Sequence, residues 1–119
     1  MSNQILIVDD ASFMRLMLKD ILEGAGFKDI LEAETSSLAL SLVESSKPAV
    51  VLLDITMPDI DGIDVLDKIK TISPETSVIM CSSMGLGEVV ETCFEHGADD
   101  FITKPFKAER IIQAVSKFI

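Results

Sequence analysis

At 119 residues the chain has the length of one domain built around one core, too short for two. Its formal net charge of −10 argues against nucleic acid and against an anionic membrane surface, which are bound mainly through Lys and Arg. Hydrophobic residues make up 48% of the chain, with no Trp or Tyr, so the core must be aliphatic with Met and Phe. Cys81 and Cys93 lack metal-ligand spacing and sit in apolar stretches, where a reduced cysteine behaves as a small hydrophobe.

Strand-like apolar runs alternate with helical spacing along the whole chain. Ile5-Leu6-Ile7-Val8 reads as a first strand. Met14, Met17, Leu18, Ile21 and Leu22 then mark a helix, with Ser12 as its N-cap and Gly24 and Gly26 at its end. Asp29 to Ala33 is a weaker strand and Leu38 to Glu44 a second helix. Pro48 precedes a third strand, Val50 to Leu53, which runs into Asp54. A turn over residues 57–62 leads to a helix carrying Val65, Leu66 and Ile69. Val78 to Cys81 is the fourth strand, followed by Ser82 and Ser83. Leu86, Val89, Val90, Cys93 and Phe94 space a fourth helix, stopped by Gly97. Phe101 to Thr103 is the fifth strand, and Ala108, Ile111, Ile112, Val115 and Phe118 the last helix. Strict alternation with short loops predicts parallel strands joined by right-handed crossovers, a doubly wound α/β sheet.

In such a sheet every strand opens its carboxyl end onto one face, where ligands bind. Asp9, Asp10, Asp54, Lys104 and the Ser82 hydroxyl all fall there. Taken singly each has an ordinary explanation: an acidic helix start, a turn residue, a solvated ammonium, a helix cap. Their shared placement is what points to chemistry. A flavodoxin-like protein would hold a phosphate in its first loop with Gly, Ser, Thr and backbone N–H groups, but here that loop holds two carboxylates. Two carboxylates about 4 Å apart repel by roughly 4 kcal/mol at an effective dielectric near 20. One lysine cannot neutralise three of them, so the pattern predicts a divalent cation, and Mg²⁺ suits a few carboxylate and carbonyl oxygens. Lys104 and Ser82 would then hold phosphoryl oxygens. Asp54, central on the sheet, is the expected nucleophile and phosphoacceptor.

Leu6-Ile7-Val8-Asp9-Asp10, Leu52-Leu53-Asp54-Ile55-Thr56-Met57-Pro58, Asp61-Gly62, Ser82-Ser83, Gly97-Ala98 and Lys104-Pro105-Phe106 together resemble a response-regulator receiver domain over essentially the full length. Ala11 to Arg15, Ile55 to Pro58 and Cys81 to Gly85 are most similar to the CheY-type chemotaxis regulators. The resemblance implies a CheY-like three-layer sandwich with strand order 2-1-3-4-5, and residues 1–119 forming a single receiver domain. It implies that Asp10 and Asp54 bind Mg²⁺ directly with the Thr56 backbone carbonyl, and that Asp9 acts largely through a water. Asp54 would accept a phosphoryl group from a phosphohistidine, with Lys104 contacting the phosphate and with Ser82 and Phe101 as switch residues. It also supports a cis Lys104-Pro105 bond. Phe101 replaces the more familiar Tyr, so a phenolic output contact is absent. Thr56 and Met84 stand where other receivers often carry amide or acidic groups that orient or admit the hydrolytic water.

The expected role is a phosphorylation-activated switch whose partners are a sensor histidine kinase of the CheA type, a flagellar motor switch protein and a dedicated phosphatase. The protein itself would be a phosphoacceptor rather than an enzyme, and a monomer. Two alternatives stand beside this: a phosphorelay shuttle to a histidine phosphotransfer domain, and a metal-dependent phosphohydrolase with an Asp nucleophile. A haloacid dehalogenase-type hydrolase wants its nucleophile after the first strand and a second Asp two residues on, where this chain has Thr56 after Asp54. The chain ends with its fifth helix, so no output domain is expected. No basic-plus-apolar leader precedes the first strand and no apolar run approaches spanning length, so a cytoplasmic location is expected. His96, the only histidine, is expected to cap or decorate the fourth helix. The output surface is expected on the fourth helix, fifth strand and fifth helix.

Overall fold

The computed structural model describes residues 3–54, 61–83 and 87–119. Five strands, β1 (Ile5–Val8), β2 (Ile30–Ala33), β3 (Val50–Asp54), β4 (Ser77–Ser82) and β5 (Asp100–Thr103), alternate with five helices. These are α1 (Ser12–Gly24), α2 (Ser36–Ser46), α3 (Gly62–Ile72), α4 (Gly87–Glu95) and α5 (Ala108–Ser116). All strand pairs are parallel, in the order β2-β1-β3-β4-β5. The central strands are buried from end to end, which is why they read as unbroken apolar runs rather than as alternation.

Helices cover both faces. One core cluster joins Ile5, Ile7, Val50, Leu52, Ile79 and Ile102 to Leu18 and Leu22 of α1 and to Ile111, Ala114 and Val115 of α5. The other joins Leu6, Val8, Val51, Leu53, Val78, Met80 and Phe101 to buried residues of α2, α3 and α4. Successive strand residues therefore feed opposite layers, as the period of two requires. Asp9, Asp54 and Lys104 continue the α1/α5 series of their strands, whereas Ser82 shares its series with Val78 and Met80 on the α2–α4 side.

Local chemistry sets the helix ends. Thr35 caps α2, accepting from Leu38 N at 3.2 Å, and Asp61 caps α3, accepting from Ile63 N at 3.0 Å. Ser12 does not cap α1: the N-cap is Ala11, and Ser12 is the first helical residue. The carboxylate of Asp9 reaches forward to accept from Ala11 N at 2.9 Å, an Asx-turn that supplies the bend a capping serine would otherwise make. Gly97, at φ 101°, ends the fourth helix in a conformation that a side chain disfavours. Four residues assigned to apolar helix stripes lie open instead: Met17, Leu38, Phe94 and Ala108 are exposed. An apolar stripe wider than the groove it faces leaves its margins in water.

Candidate phosphoryl and metal site

The ladder delivers the site residues to one place. The last paired positions, Val8 opposite Leu53 and Asp54 opposite Cys81, bring the ends of β1, β3 and β4 level. Two further backbone bonds extend the ladder past the strands. Asp9 N donates to Ala33 O at 3.1 Å and Lys104 N donates to Ser82 O at 2.8 Å. Asp9, Asp54, Ser82 and Lys104 thus leave a rigid edge at fixed heights, and Lys104–Pro105 is a cis peptide.

Asp9, Asp10 and Asp54 each turn one carboxylate oxygen toward a common point, with these atoms all within 4.8 Å of one another. Asp9 and Asp54 are buried, at 2% and 4% exposure, whereas Asp10 is exposed. Lys104 Nζ donates to Asp54 Oδ2 at 3.1 Å and to Asp9 Oδ2 at 3.3 Å. Among the described residues no cation pairs with Asp10. Burial alone would lower the Lys104 pKa, but the charges of Asp54 and Asp9 and their hydrogen bonds hold it above its ordinary value. Burial is also the main reason the Asp9 carboxyl lies above its ordinary value; the charge of Asp54 adds to it, and the Ala11 N–H and Lys104 oppose it.

This donor set fits a hard divalent cation. Three clustered carboxylates stand beside one ammonium, and Asp10, which among the described residues has no cationic partner, is open to solvent. Thr56, whose carbonyl the family resemblance assigns to the same cation, lies outside the described residues, as do Met84, the 57–60 part of the predicted turn and Leu86. Ser82 is fully buried at the end of β4. Phe101 is buried at 9% exposure, in the cluster that contains Met80 and Cys93, against which Val89 and Val90 of α4 also pack.

Several side-chain partnerships, at the site and elsewhere, were not read from the sequence. Arg15 of α1 donates through Nη1 to Asp9 O at 2.6 Å and through Nε to Glu32 Oε1 at 3.2 Å. Arg110 of α5 forks onto Asp100, 3.1 Å to Oδ2 and 3.0 Å to Oδ1. Lys70 joins Asp99 at 2.7 Å. Phe13 and Leu16 stand exposed on α1, at 71% and 59%, close behind the Asp9-Asp10 turn. Their offset from the Leu18–Leu22 stripe was the available sign. His96 sits on the surface, its Nδ1 2.8 Å from Asp67 Oδ1 of α3.

The family of response regulator receiver domains matches residues 5–116. The chain is 47% identical to the chemotaxis protein CheY of Bacillus subtilis over 117 residues, 98% of each protein. To the chemotaxis protein CheY of Thermotoga maritima it is 44% identical over 117 residues, again 98% of each. The structure resembles the signal receiver domain of a Luxo repressor protein from Vibrio parahaemolyticus with a TM-score of 0.91 at 31% identity, covering 99% of this chain and 90% of that one. Among the described residues no helix is long and apolar enough to cross a membrane.

Proposed function

This chain belongs to the response regulator receiver domain family, and we propose that it is switched by phosphorylation of Asp54 and signals by binding another protein in chemotaxis. The observation that carries this reading is the convergence of Asp9, Asp10 and Asp54 within 4.8 Å beside the Lys104 ammonium. Mg²⁺ would be held by Asp10 and Asp54, with Asp9 outside them. When bound, it would supply positive charge against the phosphoryl oxygens.

The chain's own residues do the rest. A carboxylate oxygen of Asp54 attacks the phosphorus of a phosphohistidine, the new O–P bond forming as the N–P bond breaks, and the departing imidazole nitrogen takes a proton. Lys104, already 3.1 Å from Asp54 Oδ2, exchanges part of its carboxylate contact for a phosphoryl oxygen. Burial of Asp54 keeps bulk water from competing for the reacting oxygen. The donor is a sensor histidine kinase, and exposed Phe13 and Leu16 beside the acidic turn offer an apolar footing for it. The protein acts as acceptor rather than as a turnover enzyme. Similarity over full length to two proteins named chemotaxis protein CheY supports a flagellar motor switch protein as the target.

The test is labelling with acetyl phosphate, read by intact mass, then capture of partners from lysate with and without beryllofluoride. One phosphoryl group that depends on Mg²⁺ and is lost in Asp54→Asn is the expected result. Unchanged labelling of that variant overturns the assignment. Capture of a histidine phosphotransfer protein in place of a motor switch component would replace chemotaxis with a relay.

A further inference from the structure

We infer that Arg15 is a positioning residue for the metal site: its guanidinium holds the peptide plane between Asp9 and Asp10, and Glu32 holds the guanidinium. The inference rests on the reading of that site as a divalent-cation centre.

Asp9 O, the atom Arg15 Nη1 reaches at 2.6 Å, belongs to the rigid peptide unit that joins Asp9 to Asp10. Rotation of that plane would move the Asp10 carboxylate relative to the Asp9 carboxylate, because both side chains hang from its ends. Other bonds hold the residues on either side of the unit, including Ala11 through its N–H to Asp9 Oδ1 and its carbonyl to the N–H groups of Met14 and Arg15, but among the described residues none of them is made to the Asp9 carbonyl. Asp9 N is tied to Ala33 O and the Asp9 carboxylate to Ala11 N and Lys104, while Asp10 is exposed and, among the described residues, pairs with no cation. Among the described residues Arg15 is therefore the contact made to the Asp9–Asp10 peptide plane itself, and with the turn at Ala11 it sets the direction in which Asp10 leaves the strand.

Arg15 is itself well anchored. Its side chain is 14% exposed and its Nε meets Glu32 of β2, which Lys19 also approaches at 4.0 Å. Glu32 lies opposite Ile7 in the ladder, so the clamp runs from β2 through α1 to the end of β1. A planar fork that serves two acceptors at once is a task for arginine and not for lysine.

Two effects of Arg15 on a cation oppose each other. Its positive charge repels the cation, and its hydrogen bond preorganises the ligands. The repulsion acts through a solvent-facing site and is screened, whereas the charge-assisted bond is short and shielded, so positioning prevails. Loss of groups that orient metal ligands typically weakens affinity by roughly tenfold or more.

Calorimetric titration of the full chain with Mg²⁺ tests this. Arg15→Met is expected to bind Mg²⁺ about tenfold more weakly, with its acetyl phosphate labelling recovering as Mg²⁺ is raised. Glu32→Gln, which leaves the bond to Asp9 O but frees the guanidinium, should shift affinity the same way by less. Arg15→Lys should recover only part of the loss. Unchanged or tighter Mg²⁺ binding by a folded Arg15→Met protein overturns the inference, as does a labelling defect that Mg²⁺ does not relieve. Should Arg15→Met fail to fold, unchanged affinity in Glu32→Gln and in Arg15→Lys overturns it instead. A wild-type protein that binds no Mg²⁺ overturns the functional reading and this inference with it.

Discussion

Lys104 Nζ lies 3.1 Å from Asp54 Oδ2 although 50 residues separate them in the chain. The same ammonium reaches Asp9 Oδ2 at 3.3 Å, so it occupies oxygens that a cation or a phosphoryl group would otherwise use. Removing it has two consequences of opposite sign. Lys104→Met should lower stability in EDTA by about 1–3 kcal/mol, because two buried carboxylates lose a charged donor. It should also tighten Mg²⁺ binding, because a competitor for those oxygens is gone. Urea unfolding and calorimetric titration check both, and weaker Mg²⁺ binding would contradict the shared-oxygen geometry.

Ser82 and Phe101 feed the same side of the sheet, and Met80 lies opposite Phe101 in the ladder. A displacement of Ser82 toward a phosphoryl group at Asp54 would therefore be felt by the packing of Phe101, Val89 and Val90. With no hydroxyl to satisfy, Phe is stable in the buried position without any modification. Amide chemical shifts on beryllofluoride addition should spread from Asp54 through Ser82 to Val89, Val90 and Phe101. Ser82→Ala should confine them to the carboxylates. Shifts that run instead toward Leu38 to Val43 would refute this route.

Asp100 and Arg110 give a pH-dependent link between β5 and α5. Burial alone would raise the Asp100 carboxyl, yet the Arg110 hydrogen bonds and the Phe101 N–H together hold it below its ordinary value. A lowered acid contributes stability above the unfolded-state pKa, near 4, and loses it as pH falls through the folded value. Arg110→Met should therefore cost roughly 1 kcal/mol at pH 7, discounted for the partly exposed guanidinium. The difference from wild type should shrink steadily below about pH 4. Thermal unfolding across that range decides it; a difference independent of pH would mean that Arg110 acts through packing alone.

The Cys81 thiol is pushed up to about 12, chiefly by burial, and Cys93 is raised for the same reason. Thiolate is the reactive form. Native protein at pH 8 should resist iodoacetamide at both positions and react fully once unfolded in urea. Rapid native labelling of Cys81 would show that the end of β4 opens.

Lys47 ends α2 in the left-handed region, at φ 44° and ψ 64°, where a residue with a Cβ is strained. Lys47→Gly should raise stability by roughly 0.5–1 kcal/mol, the relief being partly offset by a freer unfolded chain. A loss of stability in urea unfolding would indicate that the lysine side chain contributes more than its backbone costs.

The sequence by itself determined the alternation of strands and helices, because fully buried parallel strands must be apolar along their whole length and their ends must carry whatever polar groups remain. Asp9, Asp10, Asp54, Ser82 and Lys104 were legible for that reason: each interrupts or ends such a run. Periodicity did not carry the strand order; that came with the family likeness and is realised through pairing between distant segments. Only the tertiary structure decided which polar groups meet. Arg15, Glu32, Arg110 and Asp100 look like ordinary helix and strand charges in the sequence, and their partnerships exist because α1 and α5 pack on the same face of the sheet, where Arg15 of α1 meets the β2 edge and Arg110 of α5 the β5 edge. Nor could local pattern distinguish Leu18 from Met17, or Ser12 from Asp9 as the group that turns the chain into α1. Those outcomes depend on how wide a groove the sheet presents and on which side chain reaches a free N–H first, and both are set when the layers close.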